Sequence, residues 1–185
     1  MGTRVVVNNR YITAVKSSDC FRCPSSSKMG QRIISMSLYG SGLRYTMGAV
    51  RNAQLAPVNY PGWTLRFYVE SPRPPGPRHG AVPATIIARL QQLGAEIVEL
   101  TTSLAPMLWR FTVVDDPTVD VFIVRDSDSR LTSRDSMVVD DWLKQDPKKS
   151  VFHCIRDHPS HSSYAVSGGL WGARRAALSA FFSGG

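Results

Sequence analysis

Two aspartates lie two residues apart, directly after the most hydrophobic segment of the chain. The segment Val121-Phe122-Ile123-Val124 is continuously apolar, and Asp126 and Asp128 follow Arg125. Alternate side chains of an extended backbone point to the same side, so both carboxylates can face one ligand. Such negative charges are costly to hold together unless a cation neutralises them. Their oxygens suit Mg²⁺ or Mn²⁺, which keep positions open for water and phosphate oxygens. The pattern predicts a metal site at the end of a buried strand.

The same residues have a second interpretation, because Asp and Ser are common in turns that end strands. In that case Asp126-Ser127-Asp128 only caps the strand and binds no ligand. Histidines could complete a metal site, and His158 is a candidate for a third metal ligand or a phosphate contact. The alternative for His158 is a loop histidine with a local hydrogen bond. His153 falls inside a predicted strand, where a structural role is expected.

Charge and cysteine content limit the classes of protein to consider. The formal net charge is +8, but residues 1–32 hold six basic residues and one acidic residue, whereas residues 33–173 hold 14 basic and 13 acidic residues. The near-neutral body argues against a nucleic-acid groove, which needs excess positive charge on the folded domain. The cysteines are odd in number, namely Cys20, Cys23 and Cys154. This argues against a disulfide framework and favours a reducing, cytoplasmic location. Cys20 and Cys23 form a lone CxxC, too few ligands for structural zinc.

Residues 1–32 show no sustained period of 2 or 3.6 and are predicted to form a mostly disordered basic tail. An organellar transit peptide is the alternative interpretation of this tail. No stretch reaches the roughly 20 apolar residues of a transmembrane segment. The oligomeric state is not indicated by any pattern.

Residues 33–185 are predicted to form one α/β domain. Periodicity predicts strands at 33–38, 63–69, 96–100, 121–124 and 151–155, and helices at 45–56, 84–93, 107–114 and 133–145. Pro57 is expected to stop the first helix and Gly94 the second, and Ser133 is expected to cap the last. Alternation of this kind predicts a Rossmann-like fold with a mostly parallel central sheet flanked by helices. Ligands of such sheets bind outside the carboxyl ends of the strands, where Asp126 and Asp128 lie.

The segment from Val119 to Asp128, preceded by Trp109-Arg110-Phe111, resembles the heart of GT-A-fold nucleotide-sugar glycosyltransferases, especially family-8-like ones. In that family an arginine on a helix precedes a hydrophobic strand that ends in the Asp-x-Asp motif. Further segments look like an uncharacterised group of glycosyltransferase-like proteins: Ser37-Leu38-Tyr39-Gly40, Arg44-Tyr45-Thr46, Arg51-Asn52-Ala53, Tyr60-Pro61-Gly62-Trp63 and Arg156-Asp157-His158-Pro159. The similarity runs through residues 33–174.

The resemblance implies transfer of a sugar from a nucleotide-diphosphate-sugar donor to a glycan or other hydroxyl acceptor. Asp126 and Asp128 would hold Mn²⁺ or Mg²⁺ together with the donor diphosphate. Other donor-binding residues implied by the resemblance are Tyr39, Gly40, Arg44, Arg110 and Ser127. Residues implied on the acceptor side are Gly168, Gly169 and Trp171. Tyr39 is a candidate for stacking on the base, and the alternative is an aromatic side chain that anchors its loop.

The chain departs from the family in two respects. Family-8-like enzymes take a histidine ligand from a motif beyond the last residue here, and the chain ends soon after Trp171. We therefore expect either minimal acceptor recognition or a shortened domain. The second functional hypothesis is a non-catalytic nucleotide- or glycan-binding remnant of the fold. A third, a two-metal nuclease or phosphatase, needs further carboxylates, of which Asp157 is the obvious candidate. The sequence indicates no catalytic base.

Overall fold

The computed structural model describes residues 3–7, 10–14, 30–72, 77–156, 158–161 and 165–178. The strands are β1 (Thr3–Val7), β2 (Arg10–Ala14), β3 (Gln31–Ser37), β4 (Thr64–Glu70), β5 (Glu96–Thr101), β6 (Val119–Arg125), β7 (Phe152–Cys154) and β8 (Leu170–Arg174). The α-helices are α1 (Leu43–Asn59), α2 (Ala84–Gln92) and α3 (Ser133–Leu143). Two segments are 3-10 helical, Pro106–Asp115 and Pro159–His161.

The strands form one mixed sheet in the order β1-β2-β5-β4-β3-β6-β8-β7. Four neighbouring strands, β5, β4, β3 and β6, run parallel, and the remaining strands join antiparallel. The predicted α/β class with flanking helices is confirmed, but a mostly parallel sheet is not. The difference arises at β2 and β8, which the sequence did not indicate: β2 lies antiparallel between β1 and β5, and β8 lies antiparallel between β6 and β7. An antiparallel strand can join its neighbour without a crossover helix, so alternation of strands and helices does not indicate it.

The order of the parallel strands reverses at β3. The chain steps from β3 to β4 and β5 on one side, and then returns to place β6 on the other side of β3. The connections therefore leave the carboxyl ends of β3 and β6 in opposite directions, and a crevice opens between them. Open α/β sheets bind their ligands at such a point. Ser37 ends β3 and Arg125 ends β6, so the loops after these two residues border the crevice.

The central strands are buried on both faces, which explains their continuous apolar runs. One face packs against all three α-helices, through side chains that include Ile34, Phe67, Leu90, Ile123 and Val139. The other face packs against the Pro106–Asp115 segment, through side chains that include Ile33, Tyr68, Trp109, Val113 and Phe122. The sheet is thus a rigid platform on which the loop after β6 is presented.

The predicted helices are present, with local corrections. Helix α1 continues past Pro57 to Asn59, because a proline in the last turn removes only one hydrogen bond and the Tyr60 N–H still bonds to the Ala56 carbonyl at 2.8 Å. Helix α3 is capped by Thr132 rather than Ser133, since the Thr132 hydroxyl accepts a hydrogen bond from the Asp135 N–H at 3.2 Å. Gly94 ends α2 with a φ of 84°, as predicted.

Two short strands precede β3, and the division into a tail and a domain stays a prediction. β1 and β2 form an antiparallel pair, β2 pairs with β5, and β3 begins at Gln31. Both early strands are rich in Val, Ile and Thr, which favour extended structure. Cys20 and Cys23 lie outside the described residues, as does Asp157. Within the described ranges, none of the helices combines the length and apolar character that a membrane crossing requires.

Candidate functional site

An open cleft of about 170 Å³ lies at the carboxyl ends of β3 and β6. Five of the residues that line it are predicted site residues: Tyr39, Arg110, Asp126, Ser127 and Asp128. The sequence did not single out the other three, Ser37, Tyr45 and Met107. The tertiary structure therefore joins the loop after β3, the start of α1, the 3-10 segment and the loop after β6 in one site.

Arg125 anchors the end of β6 immediately before the two aspartates. It is 2% exposed, and its guanidinium binds both carboxylate oxygens of Asp135, at 2.9 and 3.1 Å. The same guanidinium donates to the carbonyl oxygens of Val124 and Trp171, at 2.8 and 3.2 Å. A buried charge is tolerated only when it is paired and fully hydrogen-bonded, and this network meets both conditions. It ties β6 to β8 and to the first turn of α3.

Two further buried groups lie beside this network, of which only Tyr60 hydrogen-bonds to it. Tyr60 donates a hydrogen bond of 2.5 Å to Asp135, and burial raises the pKa of its phenol well above the usual range, so it stays a donor. His153 stacks on Trp142, with ring centroids 5.3 Å apart. Burial, together with the nearby charge of Arg125, lowers the pKa of His153 to about 4. The imidazole is therefore neutral at physiological pH, and the structural role predicted for His153 fits this buried position.

Helix α1 holds the backbone of the aspartate loop. The Asn52 amide donates to the carbonyl oxygens of Ser127 and Ser129, at 3.2 and 2.9 Å, and its own oxygen accepts from the Leu131 N–H at 3.2 Å. Gly48 lies one turn earlier, and a methyl group there would overlap the Ser127 carbonyl oxygen. Neither role was predicted from the sequence. The available signal was an asparagine in mid-helix, where this residue type is disfavoured unless its side chain is used elsewhere.

Asp126 is paired with Arg110. The Arg110 guanidinium binds Asp126 Oδ1, and its side chain is only 10% exposed. Its backbone is fixed on β3, because the Arg110 N–H donates to Ser37 Oγ at 3.0 Å and its carbonyl accepts from the Ser35 hydroxyl at 2.5 Å. The buried Nε of Arg110 has no hydrogen-bond partner among the described residues. Gly169 lies against the Asp126 carboxylate, and any side chain at that position would overlap it.

Asp128 is paired with Arg44, at 2.7 Å. Arg44 lies in the first turn of α1 and its side chain is 76% exposed, whereas the Asp128 side chain is 20% exposed. Exposed ion pairs of this kind contribute little to stability, because water screens the charges and two long side chains lose freedom. The Arg44–Asp128 pair can therefore open at low cost, in contrast to the buried pair of Arg110.

Tyr39 borders the cleft and is also anchored. Its ring makes an edge contact with Trp109 at 5.9 Å, and 37% of the residue is exposed. The next residue, Gly40, has a φ of 67° and donates its N–H to the Gly80 carbonyl at 2.8 Å, which fixes the turn after β3. Tyr39 thus has a loop-anchoring contact and an exposed edge on the cleft, so stacking on a base stays a prediction.

Other predicted site residues lie elsewhere. His158 is exposed and its ring contacts His161, 5.4 Å between centroids. Across the described ranges, no three His, Cys, Asp or Glu side chains form a group that could hold a metal ion, so His158 does not complete such a set with Asp126 and Asp128. Trp171, predicted on the acceptor side, is not among the residues lining the cleft, and its ring stacks on Phe152 at 5.2 Å.

The donor set fits a divalent cation held partly by substrate. Mg²⁺ and Mn²⁺ use one or two protein carboxylates and take their remaining oxygens from water and phosphate. Asp126 and Asp128 supply two carboxylates to one cleft, and Ser37 adds a hydroxyl. Searches against protein-family models and against curated proteins found no match to the chain. Since one fold can host many functions, the cleft itself carries the functional argument.

Proposed function

We propose that this protein is a metal-dependent glycosyltransferase that uses a nucleotide-diphosphate-sugar donor and a glycan or other hydroxyl acceptor. One observation carries the proposal: Asp126, Asp128 and Arg110 line a single cleft at the point where the strand order reverses. This is the position where open α/β sheets bind nucleotides. The GT-A resemblance of the segment from Val119 to Asp128 supports the same assignment. A mixed sheet with four parallel central strands is compatible with it.

Each side chain of the cleft has a role in this proposal. Asp126 and Asp128 would hold Mn²⁺ or Mg²⁺, which as a Lewis acid neutralises the charge of the departing diphosphate. Arg110 presents a planar fork of donors, suited to phosphate oxygens. Tyr39 offers an aromatic edge to the base. The chain contributes mainly orientation and fixed positive charge, because sugar transfer from such donors needs a stabilised leaving group and a positioned acceptor.

A second candidate is a non-catalytic nucleotide-binding protein of the same fold. One observation favours it: both aspartates have arginine partners, which neutralise them without a metal ion. Manganese-dependent hydrolysis of nucleotide sugars separates the two candidates, because a binding protein would leave the donor intact.

The proposal is tested by thermal unfolding with uridine, guanosine and adenosine diphosphates, each with and without MnCl₂ or MgCl₂. A ligand at one hundred times its dissociation constant adds about 2.7 kcal/mol of stability. For a domain of this size, each kcal/mol raises the melting temperature by about 2–4 °C. We expect a rise of several degrees with metal and one nucleotide together, and much less with either alone.

The matched variants are Asp126→Asn, Asp128→Asn and Asp120→Asn. The first two should abolish the combined effect. Asp120 is an exposed carboxylate on β6 outside the cleft, and its variant should respond like the parent. A flat response of the parent to all three nucleotides, with and without metal, would refute the transferase and the nucleotide-binding candidate alike.

A further inference from the structure

The cleft is electrically balanced by its own side chains. The carboxylate of Asp126 is paired with Arg110, and that of Asp128 with Arg44. A divalent cation that binds these carboxylates must therefore displace two guanidinium groups from them. Because like charges a few ångströms apart repel, a cation alone gains little from entering this cleft.

The two arginines differ in the free-energy cost of losing their carboxylate partners to a cation. Arg44 is largely exposed and can turn into water. Arg110 is nine-tenths buried, and a buried guanidinium without a counter-charge is costly. Its Nε already has no hydrogen-bond partner among the described residues, although the side chain lines the cleft. Arg110 therefore has unused donor capacity, and its positive charge is left without a partner once a cation takes Asp126.

A diphosphate supplies the counter-charge that the buried Arg110 would lack, and it offers the exposed Arg44 a new partner. Guanidinium groups bind phosphate oxygens with short, charge-assisted hydrogen bonds. Diphosphate oxygens also complete the coordination of a cation that has only two protein ligands. Each ligand would thus remove the electrostatic cost of binding the other. The binding of the two ligands is therefore coupled, and each raises the affinity of the protein for the other by the same factor.

We infer that Arg44 and Arg110 are exchange partners: they neutralise Asp128 and Asp126 in the free protein and pass to the diphosphate when a divalent cation takes the carboxylates. This inference rests on the proposed function and adds to it that Arg44 and Arg110 change partners, from the two aspartates to the diphosphate, when the ligands bind. A nucleoside or a cation by itself would bind weakly.

Arg44→Gln tests the exchange, because the two affinities should change in opposite directions. Removing Arg44 frees Asp128, so Mn²⁺ alone should bind about two- to fivefold tighter, the range expected for release of an exposed ion pair. Uridine diphosphate at saturating Mn²⁺ should bind about tenfold weaker, because one charge-assisted hydrogen bond is lost. Free Mn²⁺ is measured by electron paramagnetic resonance and diphosphate binding by calorimetry.

Arg51→Gln is the matched control, since Arg51 is an exposed arginine of the same helix whose hydrogen bond among the described residues is local, to Gln54 at 3.2 Å. Both affinities of this variant should equal those of the parent. If Arg44→Gln weakens Mn²⁺ binding or leaves both affinities unchanged, while the parent binds both ligands, the exchange is refuted and the proposed function stands. If the parent binds neither ligand, the proposed function fails and the exchange with it.

Discussion

The side-chain amide of Asn52 donates a hydrogen bond of 3.2 Å to the carbonyl oxygen of Ser127, the residue between the two aspartates of the cleft. Asn52 is fully buried, and its other bonds go to the backbone of Ser129 and Leu131 and to the Met36 sulfur, at 3.9 Å. The loop after β6 is therefore shaped by α1 as well as by the strand that precedes it. This makes Asn52 a positioning residue for both carboxylates.

Asn52→Asp should disturb the loop with almost no change in side-chain volume. A carboxylate cannot donate to the Ser127 and Ser129 carbonyls and places a buried charge against them, so we expect a loss of about 2–4 kcal/mol in unfolding free energy. Urea unfolding of the parent and the variant measures this loss of free energy. At a temperature where the variant is folded, diphosphate binding with Mn²⁺ should also weaken.

Asn59→Ala provides the comparison, because Asn59 bonds to the same loop only through the Leu131 carbonyl, at 2.8 Å. The Asn59→Ala variant should lose about 1 kcal/mol of unfolding free energy and bind the ligands like the parent. Equal effects of both variants on diphosphate affinity would contradict a special role for Asn52.

Gly169→Ala should couple energetically to Asp126. A methyl group at 169 would push the Asp126 carboxylate away from the buried Arg110 guanidinium, so we expect a loss of about 1–3 kcal/mol from the weakened charge pair. Most of that loss should disappear in an Asp126→Ala background, where the methyl group has room. A double-mutant cycle by urea unfolding measures the coupling, and strictly additive effects would show that the two residues are independent.

The stability of the protein should depend on pH through His153. Its pKa is about 4 in the folded state, against about 6.5 in an unfolded chain, so the unfolded state binds a proton first as the pH falls. The unfolding free energy should therefore decline between about pH 6.5 and pH 4, with a slope of up to about 1.4 kcal/mol per pH unit from this group.

His153→Phe keeps an aromatic ring against Trp142 and removes the titration. Its unfolding free energy, measured by urea titration from pH 4.5 to 7, should decrease less steeply than that of the parent as the pH is lowered. The difference between the two slopes should correspond to the uptake of about one proton on unfolding. Identical slopes for parent and variant would exclude His153 as the source.

Asp135→Asn should be far more damaging than removal of a surface ion pair. It leaves Arg125 buried without a counter-charge, which costs about 3–5 kcal/mol. Asp141→Asn breaks an exposed pair with Lys144 on the same helix and should leave the urea midpoint almost unchanged. Similar midpoints for the two variants would show that the Arg125–Asp135 pair does not hold β6 in place.

Local pattern was enough to predict most of the secondary structure. The apolar run of β6, the helical spacing of α2 and its end at Gly94 depend on neighbouring residues, and each is found in the structure. The position of Asp126 and Asp128 after a buried strand follows from the same local signal. Their metal-binding role stays a prediction, since the pattern is shared with ordinary turns.

The periods of these elements and the chemistry available at their ends can be predicted from local sequence alone. Packing of the whole chain sets which ends meet: β8 between β6 and β7, Arg110 on Asp126, and Asn52 on Ser127. The contact of Asn52 with Ser127 joins residues 75 positions apart in the chain. The periodicity of apolar side chains reflects backbone geometry over a few residues. Contacts between distant residues depend instead on how all the elements pack together to bury their apolar faces. No short segment carries that information, and so the partners of the two aspartates emerged only from the folded chain.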